Sequence, residues 1–254
     1  MSDTLPRITP DSALFLDVDG TLLDIAARPD AARVPPGLRE DLAVLAHRLG
    51  GALALVSGRS IASLDRLFKP LFLPVAGQHG AELRRAPGDP VWRLPQAVDF
   101  EQLRAPLERF AASWPGILIE WKGQSVALHC LAAPGSRGEL GAVLADLVSK
   151  ADGIELMDSR SGFDLKPLMV SKGSAIEWFL GEPPFRGRVP VFAGDDVTDE
   201  GGFAVVLQRR GYAIRVGNAG QSMAQLRVAL PADFRDWLFR SAHASAAHEL
   251  GEAR

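Results

Sequence analysis

Short apolar runs alternate with segments of helical periodicity over the first third of the chain. Apolar residues at every third or fourth position predict helices, and short unbroken apolar runs predict strands buried on both faces. The predicted order is strand, helix, strand, helix, strand, at residues 13–16, 36–49, 52–56, 61–68 and 73–76. This alternation favours a parallel sheet covered by helices, as in α/β domains.

The pattern changes in the middle of the chain. Helical stripes and short strands follow one another there without a parallel repeat, at residues 99–113, 118–122, 125–130, 139–149, 154–157 and 163–166. Gly123-Gln124 joins the first two of these strands as a tight hairpin. We interpret residues 84–167 as a separate α+β domain with an antiparallel sheet.

The parallel pattern then returns, with a helix at residues 171–180 and strands at 189–193 and 212–216. The predicted fold class is therefore α/β, with a Rossmann-like parallel core and an inserted α+β cap. Its segments are residues 1–83 and 168–254 for the core and 84–167 for the cap. The alanine-rich tail from Ser241 is predicted to be a frayed helix end or disordered.

Composition narrows the function classes. The chain has 254 residues, 47% of them apolar, and a net charge of −3, so it lacks the basic excess of a nucleic-acid binder. Its single cysteine, Cys130, permits no internal disulfide and fits a reducing compartment. No apolar run approaches the roughly 20 residues of a membrane span, and the N-terminus has no apolar signal core. We expect a cytoplasmic protein with no nucleic-acid or membrane partner, and a monomer.

Polar residues stand at or beside the ends of several predicted core strands. Ligands of open parallel sheets bind beyond the carboxyl ends of the strands, so these side chains are expected to converge. The candidates are Asp17, Asp19, Ser57, Lys172, Asp195, Asp196 and Asp199. Their convergence is the central prediction from the sequence.

Asp17 and Asp19 follow the first apolar run and precede Gly20. This arrangement suits a magnesium-assisted phosphoryl transfer in which a carboxylate is the nucleophile. We expect Asp17 to bind Mg²⁺ with one oxygen and to attack phosphorus with the other. Asp19 points the same way and is expected to protonate the leaving oxygen, to activate water and to join the metal site. The alternative is a polar turn at a strand end.

Ser57 and Lys172 are the candidates for holding phosphate. The Ser57 hydroxyl suits phosphate oxygens, although Ser57 or Ser60 could instead cap the following helix. Lys172 stands at the start of a predicted helix, where a cation opposes the helix dipole. Neutralising Asp17 and the phosphate would account for that cost; the alternative is an exposed helix lysine.

Acidic residues crowd residues 194–200, GDDVTDE, directly after an apolar strand. Like charges so close repel one another unless a cation is bound. We expect Asp195 to be a direct metal ligand and Asp199 to be a second ligand or to hold a bound water. Asp196 is a candidate partner of Lys172. The alternative is a solvated acidic turn that caps the next helix.

Alternation along three cap strands places polar side chains on one face of the predicted sheet. They are Glu120 and Lys122, Ser125 and His129, and Asp164 and Lys166. Carboxylate, ammonium and imidazole groups can bind several sugar hydroxyls. The alternative is an ordinary half-solvated antiparallel sheet. Trp121 faces the other way and is expected in the cap core.

The core motifs resemble those of the haloacid dehalogenase superfamily of phosphatases, at residues 17–21, Ser57, Lys172 and 194–199. Residues 57–59, 77–82, 120–122, 166–173 and 194–200 resemble the trehalose-6-phosphate phosphatase family over nearly the whole chain. The resemblance implies Mg²⁺-dependent hydrolysis of trehalose 6-phosphate through an aspartyl phosphate on Asp17. It also implies substrate contacts from Gly58, Arg59, His79, Gly80, Glu82, Glu120, Lys122, His129 and Asp164.

One residue departs from the family pattern, because Asp164 stands where the family usually has glutamate. A shorter acid can reshape a sugar contact, so other substrates stay open. The alternatives are another capped sugar phosphatase, acting on sucrose phosphate or mannosyl-phosphoglycerate, and a sugar-phosphate sensor without catalysis. The first differs from the leading hypothesis only in the cap, and the intact core carboxylates argue against the second.

Overall fold

The computed structural model of the protein describes residues 5–26, 28–93, 98–130, 132–159, 162–218 and 220–244. The first core segment contains β1 (Ser12–Leu16), α1 (Leu38–Arg48), β2 (Leu53–Val56), α2 (Ile61–Phe68), β3 (Val75–Gly77), β4 (Glu82–Arg84) and β5 (Trp92–Arg93). The cap contains α3 (Arg104–Ser113), β6 (Leu118–Trp121), β7 (Val126–His129), α4 (Arg137–Ser149), β8 (Ile154–Ser159) and β9 (Gly162–Pro167). The second core segment contains α5 (Lys172–Leu180), β10 (Val189–Gly194), α6 (Glu200–Gln208), β11 (Tyr212–Val216), β12 (Leu226–Val228) and α7 (Pro231–His243).

Both core segments build one sheet. Within the described residues its strand order is β12-β11-β10-β1-β2-β3-β4-β5. The pairs from β12 to β3 are parallel, whereas β3–β4 and β4–β5 are antiparallel. The predicted parallel core with an insertion is confirmed, and every predicted core element lies within two residues of the observed bounds. The carboxyl ends of β1, β2 and β10 meet at one edge, which positions the candidate site.

Apolar side chains from the sheet and its covering helices form the main core. β1 is buried at all five positions, as its unbroken apolar sequence predicts. The Phe15 ring lies 6.0 Å from that of Phe179 on α5 and 5.3 Å from that of Phe185. These rings are fully buried, so they hold α5 against β1. Their packing sets where α5 begins, and hence where Lys172 lies.

The cap has its own sheet and its own core. Its antiparallel strand order is β6-β7-β9-β8, so the three strands predicted to share a polar face are neighbours. Leu107, Leu140, Leu144 and Leu165 pack beneath this sheet. Trp121 packs against the same cluster, and the Arg104 guanidinium lies 4.2 Å from its ring centroid. The expectation that Trp121 belongs to the cap core is confirmed.

The predicted domain boundary at residues 83 and 84 is too early. Arg84 of β4 pairs with Val75 of β3, and β5 pairs with β4. The chain therefore stays in the core sheet to Arg93. Val98 is the first described residue to pack in the cap. Two short polar strands at a sheet edge carry no apolar run, which is why the pattern did not reveal them. The cap strand β9 ends at Pro167, one residue beyond the predicted strand at residues 163–166.

The tail prediction is tested only in part. α7 continues through Ser241 to His243 and packs against α1. The rest of the predicted tail, residues 245–254, lies outside the described residues, as do residues 1–4 of the first predicted segment. Among the described residues, no helix combines the length and apolarity that crossing a bilayer requires.

Replacing Phe179 with alanine should destabilise the core strongly. Truncating a buried phenylalanine typically costs about 3–5 kcal/mol, because the cavity only partly collapses. Phe239→Ala is the matched control, since Phe239 is exposed on α7. Urea denaturation followed by circular dichroism measures both free energies of unfolding. Equal losses for the two variants would contradict the packing described here.

Candidate active site

Asp17 lies at the floor of a cleft between core and cap, immediately after β1. Its backbone N–H donates to the Ala193 carbonyl at 3.0 Å, which continues the pairing with β10. Its Oδ1 accepts from Lys172 Nζ at 2.6 Å, and its Oδ2 accepts from the Thr21 hydroxyl at 3.3 Å. Burial raises the pKa of Asp17, Lys172 lowers it, and the charges of Asp199 and Asp195 raise it further. The net shift of the pKa is upward, because burial together with the two neighbouring carboxylates outweighs Lys172.

Lys172 is the first residue of α5 and is buried, not the exposed helix lysine of the alternative reading. A capping box formed by Ser171 and Ser174 satisfies the helix N-terminus and aims Lys172 inward. Nζ donates to Asp17 at 2.6 Å and to Asp199 at 2.7 Å. Burial works against the charged amine, but the two carboxylates outweigh it and raise the pKa of Lys172 above its usual value.

Asp199 is the second partner of Lys172, the role that the sequence analysis offered to Asp196. Asp199 Oδ2 accepts from the backbone N–H groups of Asp195 and Asp196, at 3.1 and 3.0 Å. With Oδ1 on Lys172, both oxygens of this fully buried carboxylate are engaged. Asp196 accepts from the Val197 N–H at 2.7 Å and caps a short 3₁₀ turn. This 3₁₀ turn, Val197–Asp199, folds the Asp199 side chain back beneath the loop, where it reaches Lys172.

Two glycines make this packing possible. A Cβ on Gly194 would lie 2.2 Å from the Asp199 carboxyl carbon. A Cβ on Gly20 would lie 2.1 Å from Asp195 Oδ2, and the φ of Gly20 is +87°, in the left-handed region. Gly194 therefore leaves room for the Asp199 side chain within its own loop, and Gly20 lets the loop after β1 approach Asp195 closely. This brings the two acidic motifs together.

The acidic cluster meets the requirements of a divalent cation site. Asp17, Asp195 and Asp199 are buried, and each offers a carboxylate oxygen within 4.8 Å of the others. Three carboxylates against the single Lys172 ammonium leave two negative charges at full ionisation. Hard oxygen donors of this kind suit a hard divalent ion. The residues fit the metal ion that the sequence predicts.

Asp19 does not join the acidic cluster with its carboxylate. Arg59 holds it through two bonds, from Nε to Oδ2 at 2.6 Å and from Nη2 to Oδ1 at 2.7 Å. The guanidinium fork matches a carboxylate in two places, which accounts for this preference. The same pairing raises the pKa of Arg59 against the opposing effect of burial. Asp19 thus faces the cleft beside Asp17, and the structure gives no support to a metal-ligating Asp19 side chain.

Ser57 ends β2 and points into the site. Its hydroxyl accepts from the Arg59 N–H at 3.1 Å, and the residue is almost fully buried. Ser60, not Ser57, caps α2 by accepting from the Ser63 N–H at 3.3 Å. The capping alternative therefore falls to Ser60. The Ser57 hydroxyl keeps a hydrogen to donate to a ligand.

The segment after β3 contributes one predicted site residue, His79, and not the other two. His79 lines the cleft, with Nε2 3.7 Å from Asp164 Oδ1, and burial lowers its pKa. Gly80 packs against the Ser171 carbonyl, 2.9 Å from where its Cβ would lie. Glu82 accepts from the Ile61 N–H at 2.8 Å and from Arg93 Nε at 3.1 Å, so it holds α2 and β5. Neither Gly80 nor Glu82 lines the cleft.

The cap supplies the opposite wall of the cleft. Glu120 Oε2 lies within hydrogen-bond distance of His129 Nε2, at 3.1 Å. Lys122 Nζ lies 3.5 Å from Asp164 Oδ1. Burial raises the pKa of Asp164, but Lys122 and His79 outweigh it and hold the pKa well below its usual range. Glu120 follows the same logic, with burial opposed by His129 and Lys122 and a lowered pKa. These groups form a charged, hydrogen-bonding surface facing Asp17.

The cleft brings together most of the predicted residues. Core residues in its lining are Asp17, Asp19, Ser57, Gly58, Arg59, His79, Lys172, Asp195 and Asp196, and cap residues are Glu120, Lys122, His129 and Asp164. Its lining also includes Ile25, Ala26, Ser159 and Thr198, which the sequence analysis did not name as site residues. Thr198 lies within the acidic motif at residues 194–200, so its position in the sequence could have indicated it as a site residue. Ser159 ends β8, two residues beyond the predicted strand, and carried no signal.

Comparison with known proteins agrees with this geometry. The family model described as trehalose-phosphatase matches residues 15–230. The chain belongs to the trehalose-phosphatase family. A probable trehalose-phosphate phosphatase of Sinorhizobium fredii is 46% identical over 206 residues, covering 81% of this chain and 77% of the relative. The trehalose-6-phosphate phosphatase of Escherichia coli is 39% identical over 234 residues, covering 92% and 87%.

Solved structures of related proteins share the fold. The C-terminal domain of Candida albicans trehalose-6-phosphate phosphatase superposes with a TM-score of 0.83 at 20% identity, covering 92% of each chain. A trehalose-6-phosphate phosphatase related protein superposes with a TM-score of 0.70 at 26% identity, covering 89% of this chain and 94% of the other. The predicted family, fold and class of enzyme, a phosphoric monoester hydrolase, are confirmed. The trehalose-phosphatase family implies a divalent metal, which the acidic cluster fits.

Replacing Lys172 with methionine should destabilise this trehalose-phosphatase by about 3–5 kcal/mol, because Asp17 and Asp199 would be left buried without a countercharge. Without the lysine, which lowers it, the pKa of Asp17 would rise further above that of the unfolded chain, so the folded state binds this proton more tightly. The stability of the variant should therefore fall as the pH rises from the unfolded to the folded pKa of Asp17. Added Mg²⁺ should restore part of the loss.

The matched control is Lys150→Met, which removes an exposed lysine paired with Asp146 on α4. It should leave the free energy of unfolding nearly unchanged, since exposed pairs contribute little. Urea denaturation at several pH values, with and without Mg²⁺, measures both variants. A Lys172→Met protein as stable as the control would contradict the countercharge role.

Proposed function

We propose that the chain hydrolyses trehalose 6-phosphate to trehalose and phosphate, with Mg²⁺ as cofactor and an aspartyl phosphate on Asp17. One observation carries the proposal. The Asp17 carboxylate is held by Lys172 at the floor of a cleft whose facing wall is the polar cap surface. Membership of the trehalose-phosphatase family supports the substrate.

The first step is attack by Asp17 on phosphorus. Lys172 holds Oδ1, so the attacking atom is Oδ2, which accepts a hydrogen bond from the Thr21 hydroxyl at 3.3 Å. The Oδ2–phosphorus bond forms, and the bond from phosphorus to the sugar oxygen breaks. Asp19, beside Asp17 in the cleft, enters this step protonated on an oxygen that has exchanged its bond to Arg59 for one to the sugar oxygen. It gives that proton to the sugar oxygen, and trehalose leaves. Arg59 keeps the Asp19 carboxyl group in place.

The second step is hydrolysis of the aspartyl phosphate. Asp19, now ionised, takes a proton from a water that attacks phosphorus. The bond to Asp17 Oδ2 breaks, phosphate leaves, and both carboxyl groups return to their starting states. Ser57 and Lys172 bind the phosphate oxygens during both steps. Asp17, Asp195 and Asp199 would hold the metal ion, which would supply neutralisation of the charge that develops on the phosphoryl group.

The cap recognises the disaccharide. Glu120, Lys122, His129 and Asp164 present acceptors and donors to sugar hydroxyls, and His79 closes the cleft from the core side. Because Lys122 neutralises Asp164 across 3.5 Å, the cap wall carries paired charges that can bind neutral hydroxyls. We infer that the shorter Asp164 side chain is accommodated by this pairing.

We also propose that the enzyme acts as a cytoplasmic monomer on this small sugar phosphate, with no nucleic-acid or membrane partner. The single cysteine supports the location, and the absence of a basic excess supports the lack of a nucleic-acid partner.

Purified protein should release phosphate from trehalose 6-phosphate in the presence of Mg²⁺, and a chelator should abolish the release. Asp17→Asn should lower kcat by at least about 10³-fold, since loss of a covalent nucleophile removes the reaction path. Asp11→Asn, at an exposed aspartate before β1, is the control and should keep full activity. Binding of trehalose 6-phosphate without turnover by the wild type would instead favour the sensor.

Glu120→Gln should lower kcat/KM for trehalose 6-phosphate by about 10- to 100-fold, the cost of a charged hydrogen bond. The small substrate p-nitrophenyl phosphate does not reach the cap, so its kcat/KM should change by less than about 3-fold. Glu139→Gln, exposed on α4, is the matched control. A wild-type preference for sucrose phosphate or mannosyl-phosphoglycerate over trehalose 6-phosphate would refute the proposed substrate while leaving the core chemistry.

A further inference from the structure

The hairpin turn of the cap, residues 122–125, rests on a loop of the core. Gln78 Oε1 accepts from the Gln124 backbone N–H at 3.1 Å and from the Ser125 hydroxyl at 3.1 Å. Beside it, Lys122 Nζ donates to the Gly58 carbonyl at 3.0 Å. Gln78 is almost fully buried, although it lies at the boundary between the two domains. It is buried against the cap turn and does not line the substrate cleft.

The core loop offers Gln78 in an unusual backbone conformation. The φ angles of Gln78 and His79 are +49° and +60°, in the left-handed region that residues other than glycine rarely occupy. The Gln78 backbone N–H donates to the Arg59 carbonyl at 2.8 Å, and the His79 backbone N–H donates to the Ser57 carbonyl at 2.9 Å. Such strained residues persist where surrounding contacts over-determine them. The loop is thus fastened to the segment that carries Ser57 and Arg59.

We propose that Gln78 is a positioning residue that latches the cap closed over the cleft. It touches the cap turn through two hydrogen bonds, and its own backbone is fastened to the phosphate-binding segment. Closing this latch brings His79 of the core to 3.7 Å from Asp164 Oδ1, the atom that Lys122 of the cap approaches at 3.5 Å. The latch therefore couples closure of the cap to the geometry of the sugar wall.

The latch is also built to release. Gln78 Nε2 is buried and finds no hydrogen-bond partner among the described residues. A buried donor without an acceptor disfavours the closed state and offsets part of the gain from the two bonds on Oε1. The closed cap is thereby kept only marginally favoured until a substrate adds its own contacts. A cap that excludes water during the reaction must reopen to release trehalose and phosphate.

Hydrogen–deuterium exchange of the full-length protein without substrate tests the latch. Gln78→Met keeps the length of the side chain but removes Oε1. In the closed cap, the Gln124 N–H and the Ser125 hydroxyl would therefore lose this acceptor. Exchange of amides in residues 122–126 should rise about 5-fold or more, because local opening controls their protection. Ser125→Ala should give a smaller rise in the same segment, and adding it to Gln78→Met should give no further rise. Gln208→Met, exposed at the end of α6, is the control and should match the wild type.

The location of the change decides the outcome. A rise confined to the cap turn and the facing core loop supports the latch. Unchanged exchange at residues 122–126 in Gln78→Met overturns it, as does a rise of equal size in β8 and β9, which would mean that the cap itself unfolds. This measurement requires no turnover and is independent of the proposed function.

A kinetic arm rests on the proposed function. With trehalose 6-phosphate, Gln78→Met should raise KM about 5-fold while kcat stays within about 2-fold, since the chemical groups are untouched. A raised exchange rate with an unchanged KM would overturn the positioning role. A wild-type protein without turnover would contradict the proposed function, and the exchange result would still decide the latch.

Discussion

The active-site architecture depends on one buried ammonium group. Lys172 reaches from the start of α5 to Asp17 after β1 and to Asp199 beyond β10, and all three side chains are almost inaccessible to solvent. Buried carboxylates this close would repel one another or take up protons without a countercharge. The lysine therefore joins three separate segments of chain into one site. Its position at a capped helix N-terminus, held by the aromatic packing of α5 on β1, makes that junction rigid.

The acidic residues around this ammonium divide into different tasks. Asp199 is fully engaged by Lys172 and two backbone N–H groups, so it shapes the loop. Asp17 and Asp195 face each other across the close approach that Gly20 permits, where a divalent ion would balance them. Asp19 is drawn to Arg59 and faces the cleft. Similar carboxylates thus acquire distinct chemistry from their hydrogen-bond partners, not from their place in the motif.

Core and cap each hold part of the site, and the boundary between them is polar. The cap has its own apolar core, so its contacts with the core domain are free to be hydrogen bonds and ion pairs. Such contacts can break and reform without exposing a large apolar surface to water. The strained loop at Gln78 and His79 lies at this boundary and is hydrogen-bonded to the segment of Ser57 and Arg59, for which we propose phosphate binding. The proposed contacts to sugar and to phosphate are therefore linked through this loop.

The sequence by itself determined most of the core elements, the fold class and the strand ends where the polar side chains collect. Apolar periodicity is local, and parallel strands bring their carboxyl ends to one edge, so Asp17, Ser57 and Asp195 were predictable. Only the tertiary structure decided which partner each polar group takes. Glu82 accepts from the backbone N–H of Ile61 on α2, and Asp199, not Asp196, accepts from Lys172. These partners could not be predicted, because each hydrogen bond depends on atoms that distant segments of the chain contribute. No local pattern encodes those atoms, and the same holds for the polar edge strands that moved the domain boundary.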